Sequence, residues 1–235
     1  MKTRIQSIGM LAALMSTATL VRADIITETT RTFTVNQTIA DPQDPPQLFL
    51  QTINDSAILS LTRVDIGLHL IGTPADNGFA SDMFVSLNQN LSLTSILLNR
   101  VGISDGNPTG FFYDGWDVTF SPNGAGGDIH LVDTLAGTGI LTGTYEPDGR
   151  VNPTDTVRTS LLNIFDGSAG NGDWRLAVGD LSASGQMQLV SWSLTLTGDN
   201  TVPEPATYAL LGLGGLGWVA WRNRRQTKTN TPRGW

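Results

Sequence analysis

The sequence predicts an all-β protein folded as a β-sandwich of the jelly-roll type. Three observations predict it: short runs of alternating apolar and polar residues, turn-forming clusters between those runs, and the lack of long helical periodicity. The chain has 235 residues, of which 26 are Gly and 11 are Pro, and it has no Cys. A central part of about 175 residues is long enough to bury one core without disulfide bonds.

Seven segments are predicted to be strands, from the alternation expected of half-buried strands or, at 95–99, from a shorter apolar run. They are residues 32–36, 64–70, 83–87, 95–99, 116–120, 174–178 and 189–196. In the segment 64–70 every second residue is aliphatic, which predicts one face turned to the core. The clusters at 105–108 and 123–127 are rich in Gly, Asn and Pro and are predicted to be turns.

Three tryptophans fall on these predicted strands. Trp174 and Trp192 have apolar residues two positions away, so we expect both to be structural residues of the core. Trp116 follows Gly115 and an acidic residue, and the sequence leaves it open between core packing and a ligand-binding role at the surface.

Charge divides the chain into three parts. The whole chain has a net charge of −7, but residues 24–202 contain 20 acidic and six basic residues, whereas both ends are basic. An acidic central domain argues against binding to the phosphate backbone, so no nucleic acid partner is expected. This charge pattern is typical of one soluble domain with a sorting signal on each side.

Residues 1–23 are predicted to be a secretory signal peptide. Lys2 and Arg4 precede an apolar stretch of 14 residues, 8–21, and Ala23 is a small residue at the expected cleavage position. The alternative is a buried first helix. Cleavage would make Asp24 the first residue of a domain predicted to span 24–199.

The segment 200–225 has a more specific pattern. Pro203-Glu204-Pro205 is followed by 16 uncharged residues, 206–221, which are rich in Gly and Leu and are predicted to form a short transmembrane helix. The basic cluster after it contains Arg222, Arg224 and Arg225, and the polar tail 226–235 is predicted to be disordered.

This segment resembles the PEP-CTERM sorting signal of Gram-negative bacteria, which has the same three parts in the same order. The resemblance implies processing near Pro203-Glu204-Pro205 by an exosortase. It also implies an intermediate in the inner membrane and delivery to the cell surface or to an extracellular polysaccharide matrix. A permanent membrane anchor is the alternative.

The central segment, over residues 30–198, resembles the P domain (homo B domain) that follows the catalytic domain of proprotein convertases and bacterial subtilases. The resemblance is carried by 143–147 (GTYEP), 161–167 (LLNIFDG), 172–180 (GDWRLAVGD) and 185–196 (GQMQLVSWSLTL). It implies a sandwich without protease chemistry of its own. The family's Gly-Asp-Leu element is replaced by Ser81-Asp82-Met83, and residues 71–80 are an apparent insertion before it.

No catalytic motif is present, and we expect the protein not to be an enzyme. The two histidines, His69 and His130, lie near acidic residues, but no Gly-x-Ser-x-Gly, His-Glu-x-x-His or P-loop pattern occurs. Acidic residues are plentiful, yet the sequence singles out no carboxylate pair for glycoside hydrolysis.

Calcium is the candidate cofactor, because acidic loops of an exported domain supply the oxygen ligands that this cation prefers. The P-domain resemblance adds to this expectation, since P domains of bacterial relatives can bind calcium. The alternative is a set of solvated acids that keep the protein soluble. The candidate ligands are Asp82, Asp114, Asp117, Asp128, Asp133 and Asp180.

The sequence therefore predicts an exported, non-catalytic protein of the cell surface or extracellular matrix with a structural or adhesive role. Three alternatives remain at this stage. They are a calcium-dependent carbohydrate-binding module, an accessory partner of a separately encoded subtilase, and a hydrolase that uses loop carboxylates.

Overall fold

The computed structural model confirms an all-β sandwich. It describes residues 24–42, 44–73, 78–133, 139–183 and 185–200. The predicted signal peptide, the sorting residues from Pro203 to Arg225 and the tail 226–235 lie outside the described residues. Within the described ranges, no helix is long and apolar enough to cross a membrane.

The larger sheet has β10 at its centre. β10 pairs with β4 along one side and with β1 and β2 along the other, and all these pairs are antiparallel. β7 extends the sheet beyond β4, and β8 pairs with β7 in parallel. The strands of this sheet are β1 (Ile25–Thr27), β2 (Arg31–Thr38), β4 (Ser60–Gly72), β7 (Gly115–Phe120), β8 (Ile140–Tyr145) and β10 (Met187–Asp199).

The smaller sheet is antiparallel throughout, in the order β3–β9–β5–β6. Its strands are β3 (Gln47–Ile53), β5 (Met83–Gln89), β6 (Leu93–Asn99) and β9 (Gly172–Asp180). All seven predicted strands are present, and β1, β3 and β8 were not predicted.

One core lies between the two sheets. Residues 64, 66, 68 and 70 of β4 are all buried, as the alternation predicts. Trp174 and Trp192 are 0% and 1% exposed and lie in this core. Trp116 is also fully buried, so a role for Trp116 in binding a ligand at the surface is wrong. Burial of three indole rings removes a large apolar area from water and stabilises the sandwich.

The strand registers define two ends of the sandwich. Gly72 at the end of β4 pairs with Met187 at the start of β10. In the other sheet, Asp180 at the end of β9 pairs with Met83 at the start of β5. We call this the loop end, and it carries the connections 39–46, 73–82, 100–114 and 181–186. β1 pairs with the last residues of β10 at the opposite end.

Candidate functional site

The loop end carries an open cleft of about 260 Å³. Three connections contribute to it: 73–82, 100–114 and 181–186. Apolar rings and hydrogen-bonding groups line it together, which is the usual composition of a binding site. The lining residues that matter below are Phe79, Asp82, Arg100, Thr109, Phe112 and Ser182.

Phe79 and Phe112 form the apolar wall of the cleft. Their ring centroids are 5.6 Å apart and their planes meet at 74°, which is an edge-to-face contact. Phe112 is 44% exposed although its ring is apolar. Exposed aromatic area beside polar groups is typical of a surface that contacts a ligand.

The position of Phe112 follows from the turn before it. The Nδ2 group of Asn107 donates to the carbonyl oxygens of Gly102 and Gly110, at 3.1 and 3.0 Å. Both glycines have positive φ, +83° and +68°, which glycine adopts without steric cost. A Cβ at Gly102 would lie 2.5 Å from the ring of Phe111. Phe111 therefore packs closely on Gly102, and the next ring, Phe112, is left at the surface.

Asp82 and Arg100 are the charged groups of the cleft. Burial raises the pKa of Asp82, the guanidinium of Arg100 opposes this rise, and the carboxylate of Asp41 adds to it. The Nε group of Arg100 is buried and has no hydrogen-bond partner among the described residues. The cleft therefore combines a carboxylate with a guanidinium.

Asp180 lies at the same end, at the last position of β9. It is fully buried. Burial raises the pKa of Asp180 to about 7, and repulsion by Asp41 and Asp82 adds to the rise. The backbone N–H of Ser182 lowers this pKa only in part.

The other four candidate calcium ligands are dispersed. Asp114 accepts a hydrogen bond from the backbone N–H just before β8, at 2.7 Å. Asp117 is exposed on the outer face of β7. Asp128 forms an ion pair of 2.7 Å with Arg150, and Asp133 is exposed after the turn 129–131. Across the described ranges, no three acidic or histidine side chains form a preformed metal centre.

His130 resembles a catalytic base but is fully engaged. It lies in the 3₁₀ turn Ile129–Leu131 and not on a strand. Its Nδ1 is 2.6 Å from Oδ2 of the buried Asp148, and its Nε2 is 3.0 Å from the carbonyl oxygen of Ile103. Because both partners are acceptors, the ring donates from both nitrogens when it is protonated. Burial opposes this charge, but the hydrogen bond and attraction from Asp148 raise the pKa of His130.

Sequence reasoning pointed to three residues of this end, Asp82, Asp114 and Asp180, of which only Asp82 lines the cleft, and it missed the rest. Phe79, Arg100 and Asp41 carry no local pattern that distinguishes them. The sequence did contain a signal for Phe112. Three consecutive aromatic residues, 111–113, follow a turn-rich segment, and packing in the core would not require all three.

A family model described as the PEP-CTERM protein-sorting motif matches the C-terminal part of the chain. Residues 201–225 are a PEP-CTERM sorting motif. The motif includes Pro203-Glu204-Pro205 and the three arginines of the predicted signal. It implies processing by an exosortase, and the protein is therefore exported and sorted through the membrane to the cell surface.

The sandwich is similar to solved structures of a serine protease from Aeromonas sobria. In its complex with a chaperone, the identity is 17%, the TM-score is 0.45, and the match covers 76% of this chain and 28% of the other. For the protease alone, the identity is 18% and the TM-score is 0.42, and the match covers 74% of this chain and 27% of the other. The matched region is thus about a quarter of each solved chain. No curated protein matches this chain significantly.

Proposed function

We propose that the sandwich is a non-catalytic adhesion module on the surface or in the matrix of a Gram-negative bacterium. In this proposal its cleft binds extracellular polysaccharide. The observation that carries the proposal is the open cleft at the loop end, where an exposed aromatic ring adjoins hydrogen-bonding side chains. The PEP-CTERM motif supports the location, because it sends the protein to the cell surface.

The chemistry of the cleft suits a sugar. A pyranose ring has an apolar C–H face that packs on an aromatic side chain, and its hydroxyl groups both donate and accept hydrogen bonds. Phe112 offers the ring, Arg100 offers guanidinium N–H donors, and Asp82 offers acceptor oxygens. Arg100 also favours an acidic sugar, since the guanidinium pairs with carboxylates.

The lack of catalysis is part of the proposal. A hydrolase needs a base that is free to take a proton from a nucleophile or water. Both nitrogens of His130 are bonded within the fold, so His130 has no nitrogen available for that step. Asp82 and Arg100 suit binding, since a guanidinium neither takes nor gives a proton at neutral pH.

We also infer that the sandwich is P-domain-like, on the strength of its sequence motifs. The segment 172–180 coincides with β9, and 185–196 leads into β10. P domains accompany catalytic domains, so a partner subtilase is the alternative occupant of the surface.

The proposal is tested by retention on polysaccharide. The exported protein, recovered from surface fractions, is applied to immobilised matrix polysaccharide of the producing cells. We expect Phe112→Ala to weaken binding about tenfold or more, because the exposed ring supplies apolar contact in the cleft. Arg100→Gln is expected to weaken binding as well.

Val157→Ala is the matched control, because Val157 is 64% exposed and lies outside the cleft. This variant is expected to bind as the wild type does. Equal retention of wild type, Phe112→Ala and Arg100→Gln would contradict a role for the cleft. Co-purification with a subtilase, without retention on polysaccharide, would favour the accessory role.

A further inference from the structure

The strand β3 is an open edge of the smaller sheet. It pairs with β9 along one side. Along its other side, the backbone of residues 47–53 forms no hydrogen bond with any part of the chain that the structure describes. The N–H and C=O groups on that side are therefore available to a further strand.

The opposite edge of the same sheet, at β6, is covered. The backbone of Ile96 donates to the carbonyl oxygen of Ser160 and accepts from the N–H of Gly149, both at 2.9 Å. The carbonyl oxygen of Leu97 accepts from the N–H of Asp148 at 3.0 Å. A strand that extends this sheet would therefore lie beside β3 and not beside β6.

The strand β3 lacks the features that usually protect an edge. Edge strands in proteins are commonly very short, charged, interrupted by proline or bent by a bulge. β3 has seven residues, none of them charged and none of them Pro, and it pairs with β9 in unbroken register. On its outer face Leu48 and Leu50 are 61% and 50% exposed. The edge therefore offers apolar area together with free backbone groups.

The strand β2, at an edge of the larger sheet, shows the contrast. It begins with the charged residue Arg31, and its register with β10 shifts, so that two residues of β2, 35 and 36, lie where β10 has one. Asn36 at this bulge has a positive φ of +54°. A bulge bends the strand and disrupts regular pairing. β2 is therefore a poorer template for a further strand than β3.

The sequence of β3 is symmetric about Phe49. Residues 47–51 read Gln-Leu-Phe-Leu-Gln in both directions. When two β3 strands pair antiparallel about Phe49, position 48 of each copy lies opposite position 50 of the other. Leucine then meets leucine on the outer face. A two-fold interface needs a surface that is complementary to itself, and this segment meets that requirement with a second copy of the chain.

The distribution of charge also favours this edge as the place where two copies meet. Residues 24–202 contain 20 acidic and six basic residues, so two copies repel each other over most of their surface. β3 itself is neutral. The charged side chains beside it on the outer face, Asp173 and Arg175 of β9, are paired with each other at 2.7 Å. Within the paired segment no charge of one copy lies opposite a charge of the other.

We propose that two copies of this protein associate through β3, antiparallel about Phe49, into a dimer with one continuous eight-stranded sheet. The order β3–β9–β5–β6 in each copy puts the two β3 strands at the centre and the covered β6 strands at both edges, so association stops at two copies. β3 begins at the loop end, and the paired strands run in opposite directions. The two clefts therefore lie at opposite ends of the dimer.

The dimer depends on β3 alone and goes beyond the polysaccharide binding proposed above. The test is the mass of the full exported protein as a function of concentration, measured by analytical ultracentrifugation with no polysaccharide present. We expect an equilibrium between one and two chains. Leu48→Lys and Leu50→Glu should each weaken dimerisation at least tenfold, because each variant buries unpaired charges against leucines of the other copy.

Leu131→Lys is the matched control, because Leu131 is also an exposed leucine, at 69%, and lies outside β3. This variant is expected to dimerise as the wild type does. Both leucines of β3 are at least half exposed, so their substitution should leave the Tm close to that of the wild type.

A mixture of the two variants tests the register. In the mixed dimer the new lysine at position 48 lies opposite the new glutamate at position 50, and the other pair is leucine with leucine. We expect the mixture to dimerise at least tenfold more tightly than either variant alone. Such a gain also shows that both variants are folded.

Three results would overturn the proposal. They are a single chain at every concentration, equal dimerisation of the wild type, Leu48→Lys and Leu50→Glu, and no gain in affinity when the two variants are mixed. Polysaccharide retention is measured separately on the Leu48→Lys variant. Loss of the dimer and loss of polysaccharide binding are thus distinguished.

Discussion

His130 stabilises the fold through the same contacts that make it resemble a catalytic base. Its ring joins the connection 100–114, through the carbonyl oxygen of Ile103, to the buried Asp148. Asp148 also accepts hydrogen bonds from the guanidinium of Arg150, at 3.1 Å, and from the backbone N–H of Asn99, at 3.2 Å. The imidazole is therefore one part of a buried charged network that links loops and a strand end.

The raised pKa of His130 makes stability depend on pH. The folded protein binds the proton more tightly than the unfolded chain does, whose histidine pKa is about 6.5. The stabilisation is fully present below that value and is lost as pH rises through the raised folded pKa. Asp180, with a pKa raised to about 7, acts in the same direction. We therefore compare His130→Gln with the wild type by urea unfolding between pH 5 and 9.

We expect His130→Gln to lower the free energy of unfolding by about 2 kcal/mol at pH 5.5, and by less as pH rises. Leu131→Ala, a change at an exposed residue of the same turn, should leave the pH dependence unchanged. A difference between wild type and His130→Gln that stays constant across the pH range would contradict a protonated His130.

The sequence predicted the environment of individual residues only in part. Burial of Trp174 follows from the alternation of its strand, but the partner of His130 does not follow from sequence. Acidic residues at 128 and 133 flank His130, whereas the ring bonds to Asp148, 18 positions away, because the loop folds back. Such pairings depend on tertiary contacts, which a local pattern does not contain.

At the scale of elements, alternation identified the strands with one buried face and missed those without a clear one. β3 has three consecutive apolar residues, of which Leu48 and Leu50 are exposed, so the period of two is hidden. β8 buries only its second and last residues, Leu141 and Tyr145. β1 has three residues, too few for a pattern.

Glycines in neighbouring strands of the larger sheet should differ in their tolerance of a side chain. At Gly115, φ is +151° and a Cβ would lie 2.4 Å from the carbonyl oxygen of Leu70, which is backbone and cannot move aside. At Gly67 a Cβ would lie 2.3 Å from Oγ of Ser193, a side chain that can rotate. We expect Gly115→Ala to lower the free energy of unfolding by about 3 kcal/mol and Gly67→Ala by clearly less.

Urea unfolding of both variants provides the measurement. The double variant Gly67→Ala/Ser193→Ala is the control, because it removes the hydroxyl that meets the new methyl group. It should regain the stability that Gly67→Ala alone loses. Equal destabilisation at Gly67 and Gly115 would show that the backbone contact at Gly115 has no special cost.

At the scale of the whole molecule, the sorting motif predicts the mass of the finished protein. Intact mass spectrometry of cell-surface and medium fractions should give a chain from Asp24 to about Pro203 or Pro205, because both predicted signals are then removed. A mass that extends to Trp235, found in membranes only, would contradict processing and indicate a permanent anchor.

The C-terminal sorting motif was the most predictable feature, because it is one contiguous stretch of sequence. The cleft was not predictable, because its residues come from connections far apart in the chain and meet only through strand registers. Of the predicted aspartates, Asp82 and Asp180 meet because β5 begins where β9 ends.

The strand β10 connects the cleft end of the sandwich to the end that leads into the sorting motif. β10 begins at the loop end, beside the cleft, and finishes at Asp199, two residues before the sorting motif. Its 13 residues give a strand about 40 Å long. Whatever holds residues 201–225 therefore attaches at the end of the sandwich opposite the cleft, which leaves the cleft open to neighbouring polymers.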